Sequence, residues 1–367
     1  MATTLKDVAQ AAGVSNITVS RVLTGKQSAV TISEATRRRV LDAAARLDYR
    51  PNLMARGLRT QRSLTVGVMV EDITDPFFAA LIPEVDTVLK ERGYHLLLSH
   101  AALDPHTART YDRLLGSWVD GLLVLGDRVL AREDEEEVRS HHRHVVAIAR
   151  ARDGTAIPSA NVDDAAGVRL ALDHLWTLGH RRVGFVGNRL AWDMERRLQT
   201  FLAAMAEREL PVPDDMVILA PHTAAHGYDA ARGLLRGQEP PTAMLCTTDL
   251  LALGALCALD EAGLQVPRDL SVVGFDDIPL AAYATPPLTT VRQPSTALAR
   301  TAATLLLDLI DGRASPREGL ADCADLLLMP ELVVRRSTGP APGGRSLKGL
   351  GPTGARRGSA KGGEPAR

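Results

Sequence analysis

From residue 64 onward, short apolar runs alternate with helical stretches, and this alternation constrains the fold more than any other feature. Leu64–Val70, Tyr94–Leu98, Gly121–Leu125 and Val145–Ala149 read as buried parallel strands, with helices near 77–92, 107–116 and 129–142 between them. A second series follows. Arg182–Gly187, Met216–Leu219, Ala243–Cys246 and Ser271–Phe275 read as strands, with helices near 164–179, 190–208, 225–236 and 249–262. The pattern predicts two doubly wound α/β lobes in tandem. Such sheets place their ligand-facing loops at the carboxyl ends of the strands, so two facing lobes make one cleft.

Ahead of the lobes, Thr4 to Thr24 reads TLKDVAQAAGVSNITVSRVLT, two short helical patterns broken at Gly13-Val14. Thr4 and Asp7 have the spacing of a capping box, in which a hydroxyl and a carboxylate satisfy orphan backbone donors. Leu5, Val8, Ala9 and Ala12 share one face of the first helix; Val19, Val22 and Leu23 face it from the second, which Ser15 caps. The opposite face carries Asn16, Ile17, Ser20, Arg21 and Thr24. Arginine can grip guanine O6 and N7, asparagine can pair with adenine or a phosphate, and isoleucine can touch a thymine methyl. The reading is an all-α helix-turn-helix that binds double-stranded DNA. Ser33 opens a third helix through Val40, Leu41, Ala44 and Leu47 that covers the first two, and Pro51 stops it.

The run Asp7 to Leu23, D-V-A-x-x-A-G-V-S-x-x-T-V-S-R-V-L, resembles the N-terminal signature of the LacI/GalR family of bacterial transcriptional regulators. Further matches follow in order at Tyr49-Arg50-Pro51-Asn52, Ala55-Arg56-Gly57-Leu58, Asp75-Pro76-Phe77-Phe78, Leu178-Gly179-His180 and Val273-Gly274-Phe275-Asp276-Asp277. The resemblance implies a two-lobed body like that of periplasmic binding proteins, carrying an effector site. It implies DNA contacts from Thr4, Ser15, Asn16, Ile17, Thr18, Ser20 and Arg21, and from Asn52, Ala55 and Leu58 in a hinge that enters the minor groove, with Leu58 as an apolar wedge. It implies effector contacts from the aromatic pair Phe77 and Phe78, from Arg197, and from Asp276. His222 and Thr248 are weaker matches, Thr248 standing where relatives have asparagine; Asp249 reads as the cap of the following helix, and Trp192 as a lid residue with no motif behind it. No metal site and no cofactor is expected.

The domain reading is a headpiece over 1–48, a hinge over 49–62, a body over 63–337 and a basic tail over 338–367. Because the family's chain crosses back between lobes, the first lobe is expected at about 63–159 and 291–322, the second at about 160–290 and 323–337. The hinge is only about two turns long, below the roughly 12–15 residues at which an isolated helix becomes stable, so it is expected to fold when two copies pack on DNA. The tail holds nine glycines and four prolines, a composition that buries no core and reads as disordered, with no leucine heptad for a tetramerising helix.

The formal net charge of −1 conceals a segregation: +7 over residues 1–62, +5 over 338–367 and −13 between them. A basic head on an acidic body points its positive end at phosphates. Arg37, Arg38 and Arg39 are either phosphate contacts or a solvated helix face. Cys246, Cys257 and Cys323 form no C-x-x-C pair and read as buried apolar residues in a reducing compartment. With no leader pattern and no spanning apolar run, the expectation is a cytoplasmic homodimer, without membrane contact. The chain has no phosphate-binding glycine loop and no nucleophile elbow, which argues against an enzyme. His141, His142 and His144 read as solvated surface rather than a metal site. The expected function is an effector-responsive repressor released by a sugar or related small metabolite, with a nucleobase as the second ligand class. A sugar-binding or sugar-processing α/β protein with a secondary DNA module is the alternative. Whether the effector induces or corepresses is left open.

Overall fold

The computed structural model describes residues 3–24, 32–49, 62–101, 105–116, 118–129, 134–150, 157–189, 191–237, 239–314 and 325–343. It divides into an N-terminal unit ending at Leu64 and a larger unit from Thr65.

The N-terminal unit holds α1 (Leu5–Ala12), α2 (Asn16–Thr24) and α3 (Glu34–Arg46). The Thr4–Asp7 capping box is present in both directions, and Gly13 ends α1 at φ +63°, a left-handed conformation that glycine adopts without steric cost. Ser15 Oγ accepts the Thr18 amide at 3.2 Å and Ser33 Oγ the Thr36 amide at 3.2 Å, so all three helices have hydroxyl caps. Val8, Ala9, Ala12, Val19, Val22, Val40, Ala43 and Ala44 form the core. Leu41 is 46% exposed, against expectation. In α3 the inward stripe runs through Val40, Ala43 and Ala44, and small alanines let the helices approach closely.

The larger unit contains two six-stranded sheets of like order. The first joins β1 (Thr65–Val70), β2 (His95–His100), β3 (Gly121–Leu125), β4 (Val145–Ile148), β5 (Ser159–Val162) and β11 (Asp325–Leu328) in the order β11-β5-β4-β3-β1-β2, all parallel. The second joins β6 (Val183–Gly187), β7 (Val217–Leu219), β8 (Ala243–Cys246), β9 (Ser271–Asp276), β10 (Thr289–Arg292) and β12 (Glu331–Val333) as β12-β10-β9-β8-β6-β7, with β12 antiparallel. The first lobe carries α4 (Pro76–Glu91), α5 (Pro105–Gly116), α6 (Glu135–His141) and α11 (Ser295–Ile310). The second carries α7 (Asp164–Thr177), α8 (Trp192–Ala206), α9 (Ala224–Leu235) and α10 (Asp249–Glu261). Central strands are buried along their length, as parallel strands covered on both faces require; β2 and β7 are edge strands and half exposed, which for β2 departs from the expectation of a buried strand.

The chain crosses between lobes after β5, after β10 and after β11, and this changes the expected lobe limits. Residues 160–162 and β11 belong to the first sheet, and Val291 and Arg292 to the second. Residues 325–333 were expected within the second lobe, but Pro330, which has no amide to continue a ladder, separates β11 from β12 at the third crossing. The Asp163 amide donates to the Leu328 carbonyl at 2.9 Å, tying the first crossing to the third.

Other side chains depart from expectation. Asp112 and His142 are buried and paired at 3.0 Å, with His141 on the same carboxylate, so these histidines fasten α5 to the end of α6 and are not a solvated cluster. Among the described residues no group of side chains has the makings of a metal site. Cys246 is buried but Cys257 is exposed; Cys323 lies outside the described residues, as do the hinge positions Asn52, Ala55 and Leu58. No described helix is long and apolar enough to cross a membrane.

The start of the expected tail is bound to the second lobe. Ala341 N–H donates to the Leu178 carbonyl at 2.8 Å, and the Gly339 amide donates to Ser271 Oγ at 3.1 Å. Buried His180 joins Thr242 Oγ1 through Nδ1 at 2.9 Å, and Ser271 Oγ and the Gly339 carbonyl through Nε2 at 3.1 and 3.0 Å. The Leu178-Gly179-His180 motif is thus the seat of this C-terminal strap. Its loss leaves buried polar atoms unpaired and opens a cavity, so His180→Ala is expected to cost about 2–4 kcal/mol in urea unfolding. A change below about 0.5 kcal/mol would assign the strap no role in stability.

Candidate functional site: a reading helix and an acidic cleft

On α2, Asn16 and Ile17 are exposed and Ser20 and Arg21 half-buried, on the side opposite buried Val19 and Val22. Ile17 is 64% exposed, a large apolar side chain on an otherwise polar face. Ser15 and Thr18 bond to each other through their hydroxyls at 2.9 Å, and Thr4 Oγ1 donates to Asp7 Oδ2 at 2.7 Å. Arg37, Arg38 and Arg39 are exposed.

In the larger unit, loops from both sheets enclose a cavity of about 200 Å³. All six effector candidates, Phe77, Phe78, Arg197, His222, Thr248 and Asp276, line it. Asp75 caps α4 by accepting the Phe77 amide at 2.9 Å, and Pro76 starts the helix, which sets Phe77 and Phe78 side by side with ring centroids 5.3 Å apart. From the other lobe, α8 delivers Arg197. Its guanidinium is fully buried over the Phe275 ring, 3.6 Å from the centroid; Nε donates to Asp164 Oδ1 at 2.8 Å and Nη1 to the Thr247 carbonyl at 2.6 Å. Asp193 and Asp276 lie 3.6 and 3.9 Å away. Burial alone would lower the pKa of Arg197, but Asp164, Asp193 and Asp276 outweigh it and hold the group charged. Burial pushes the Asp164 carboxyl up to about 6 against the pull of Arg197.

Asp276 reaches the cavity through strained backbone. It has φ +115° and Asp277 has φ +55°, both in the region disfavoured for residues with a Cβ. Two clamps hold them. Asp249 accepts the Ile278 amide at 2.8 Å and the Thr290 hydroxyl, and Asp277 pairs with Arg292 and Arg335, each at 2.6 Å. Asp249 was expected to cap α10; instead Thr248 caps it, accepting the Leu251 amide at 3.3 Å, while Asp249 turns into the protein beneath the Asp276 loop. Gly274 leaves the space Asp249 occupies, since a Cβ there would stand 2.2 Å from its carboxylate. Asp276 Oδ1 accepts from Gln293 Nε2 at 2.7 Å, and burial, with Asp249 and Asp75 adding to it, raises its pKa well above the usual carboxylate range.

Sequence reasoning missed Glu71, Asp72, Asp75, Asp127, Arg128, Asp193 and Gln293 as cavity residues. Glu71 and Asp127 follow β1 and β3, so the rule that ligands gather at the carboxyl ends of parallel strands could have found them; nothing local marks Gln293. His222 bonds to Asn188 at 2.8 Å, and burial lowers its pKa, keeping the ring neutral.

Comparison with known proteins gives this arrangement a family. Residues 4–52 match the family described as bacterial regulatory proteins, lacI family, and residues 172–338 match the periplasmic binding protein-like domain. The HTH-type transcriptional repressor CytR of Escherichia coli (strain K12) is 35% identical over 344 residues, 93% of this chain and 98% of that protein. The chain belongs to the LacI family. It is an effector-responsive, DNA-binding transcriptional repressor. Among solved structures, the lac repressor dimer bound to operator and the anti-inducer ONPF covers 92% of this LacI-family chain and 100% of that one, at 29% identity and a TM-score of 0.81. The CelR–cellobiose complex covers 91% and 99%, at 30% identity and a TM-score of 0.67.

Burial raises the Glu71 carboxyl of this repressor to about 7, with the Arg128 amide at 3.0 Å and the Arg128 charge opposing the shift. A carboxyl whose folded pKa is raised favours the native state below its unfolded pKa of 4.5 and loses that contribution as pH rises through about 7. Replacing Glu71 with Gln should therefore make the protein more stable than wild type at pH 8, by up to about 3 kcal/mol, and leave little difference at pH 4. Denaturant unfolding at both pH values checks this; a difference that does not vary with pH would contradict it.

Proposed function

We propose that the cleft binds an uncharged, hydroxyl-rich small molecule of about monosaccharide or nucleoside size, and that this molecule sets the DNA affinity of the headpiece. The observation that carries the reading is the convergence of Phe77, Phe78, Arg197 and Asp276 on one cavity, two from each lobe. Phenyl faces suit the apolar side of a sugar or a purine, while an arginine beside carboxylates offers donors and acceptors to neighbouring hydroxyls. The net charge argues against an anion. Glu71, Asp72, Asp75, Asp127, Asp193 and Asp276 line the cavity with only Arg128 and Arg197 opposite, and burial already pushes Glu71, Asp75 and Asp276 toward their neutral forms, so a phosphate would bring more negative charge into a site that disfavours it. At about 200 Å³ the cavity is smaller than the roughly 300–1,000 Å³ of drug-sized pockets, which favours a small ligand. The CelR complex holds cellobiose in a body of this fold, which supports a sugar here.

On the DNA side, the reading is a homodimer whose two α2 helices enter successive major grooves of a pseudo-palindromic operator, as expected for a helix-turn-helix dimer. The lac repressor comparison, a dimer bound to operator, supports it. Asn16, Ile17, Ser20 and Arg21 would meet base edges, and the hydroxyls of Thr4, Ser15 and Thr18 would meet phosphates at helix starts. Asn52, Ala55 and Leu58 keep their proposed minor-groove role, and the basic headpiece supplies the nonspecific attraction.

Thermal-shift screening of neutral sugars and nucleosides beside their phosphate esters tests the effector reading. A neutral compound at 100 times its Kd should stabilise the protein by about 2.7 kcal/mol, and its phosphate ester should not. Tighter binding of the ester would overturn the charge argument. Asp276→Asn should weaken binding of the neutral compound about 5-fold or more, since leaving a buried hydrogen-bonding group mispaired costs about 1–3 kcal/mol. For the headpiece, Arg21→Ala should cost about 1–3 kcal/mol in operator affinity and relax preference at one base pair; unaltered base preference would remove Arg21 from the reading face.

A further inference from the structure

Helix α8 carries Asp193, Met194 and Arg197 into the cleft, yet it has no cap of its own. Its N-cap residue is Ala191, which has no side-chain acceptor, whereas Ser, Thr, Asp or Asn ordinarily fills that position. The acceptor comes from the other lobe. The Trp192 amide, the first of α8, donates to Asp127 Oδ2 at 3.2 Å. Asp127 follows β3 of the first sheet and Trp192 opens the helix after β6 of the second, so this hydrogen bond spans the cleft.

The loop bearing Asp127 is itself fixed. Gly126 has φ +106°, and a Cβ there would stand 2.5 Å from Glu71 Oε2, so only glycine fits beside that carboxylate. Glu71 in turn accepts the Arg128 amide at 3.0 Å, which sets the loop on both sides of Asp127. Helix dipole and carboxylate charge reinforce the hydrogen bond at the first turn of α8.

We infer that Asp127 is a positioning residue that closes the cleft by capping α8 from the opposite lobe. When the lobes part, the first turn of α8 loses its acceptor, and the helix that delivers Arg197 frays at its cavity end. When they close, the cap forms and Arg197 is held for the effector. The same interaction thereby links lobe closure to the order of the binding helix, without Asp127 needing to touch the ligand.

The test uses the full-length protein without effector, so its failure would leave the effector reading intact. Hydrogen exchange at the Trp192 amide reports the cap. Pulsed spin-label distances between Arg113→Cys and Arg169→Cys, with native cysteines replaced, report lobe separation. Asp127→Ala should raise Trp192 exchange about 2- to 30-fold, the range expected for a lost cap, and shift the inter-lobe distances to longer values. Asp127→Asn keeps an oxygen acceptor and should restore both readouts. Unchanged exchange in Asp127→Ala overturns the inference, and so does faster exchange with unchanged distances, since the contact would then be a local cap that does not hold the lobes.

Discussion

A buried arginine is the interaction on which the cleft depends. Arg197 reaches its place only because Asp164 from α7, the Thr247 carbonyl after β8 and the Phe275 ring on β9 already surround it. Taking a guanidinium out of water costs several kcal/mol unless it is paired, and the surrounding acidic groups of Asp164, Asp193 and Asp276 offset that cost. The arrangement is more acidic than one arginine balances. Burial, with neighbouring carboxylates adding to it, pushes the carboxyls of Asp276, Asp75 and Glu71 upward. A ligand rich in hydroxyl donors relieves such a site and an anion worsens it.

The route from this site to the rest of the molecule runs through the chain crossings. Gln293 follows β10 at the second crossing and donates to Asp276; the first and third crossings are joined by the hydrogen bond from Asp163 to Leu328. Asp276 is therefore hydrogen-bonded to one of the three segments that cross between the lobes. A coupling of about 1–3 kcal/mol between such a cleft and a DNA-binding headpiece corresponds to roughly 5- to 150-fold in affinity, enough to switch a gene.

Much of this architecture was legible because apolar periodicity and caps are local. Gly121–Leu125 and Ala243–Cys246 appear as read, and Thr4, Gly13 and Ser15 behave as their residue types require. What was not legible depends on partners distant in sequence. Residues 325–333 change lobes at Pro330, and only the two completed sheets reveal which edge each half joins. Asp249 looked like a cap by position, but its partners, Ile278 and Thr290, lie far along the chain. His142 looked exposed among charged neighbours until Asp112 was found beneath it. The cavity candidates carried by family motifs converged, whereas those defined only by the sheet ends, such as Glu71 and Asp127, had to be seen in three dimensions.

The central claim is that the acidic cleft and the DNA-reading headpiece share one equilibrium. Thermodynamic linkage makes this testable in a single quantity, the affinity of the screened neutral effector for the repressor free and saturated with operator. Calorimetric titration of both forms should give effector Kd values that differ by the same factor, about 5- to 150-fold, by which that effector alters operator affinity. Equal effector affinities for the free and operator-bound protein would contradict the account, because a ligand that binds both states alike shifts neither.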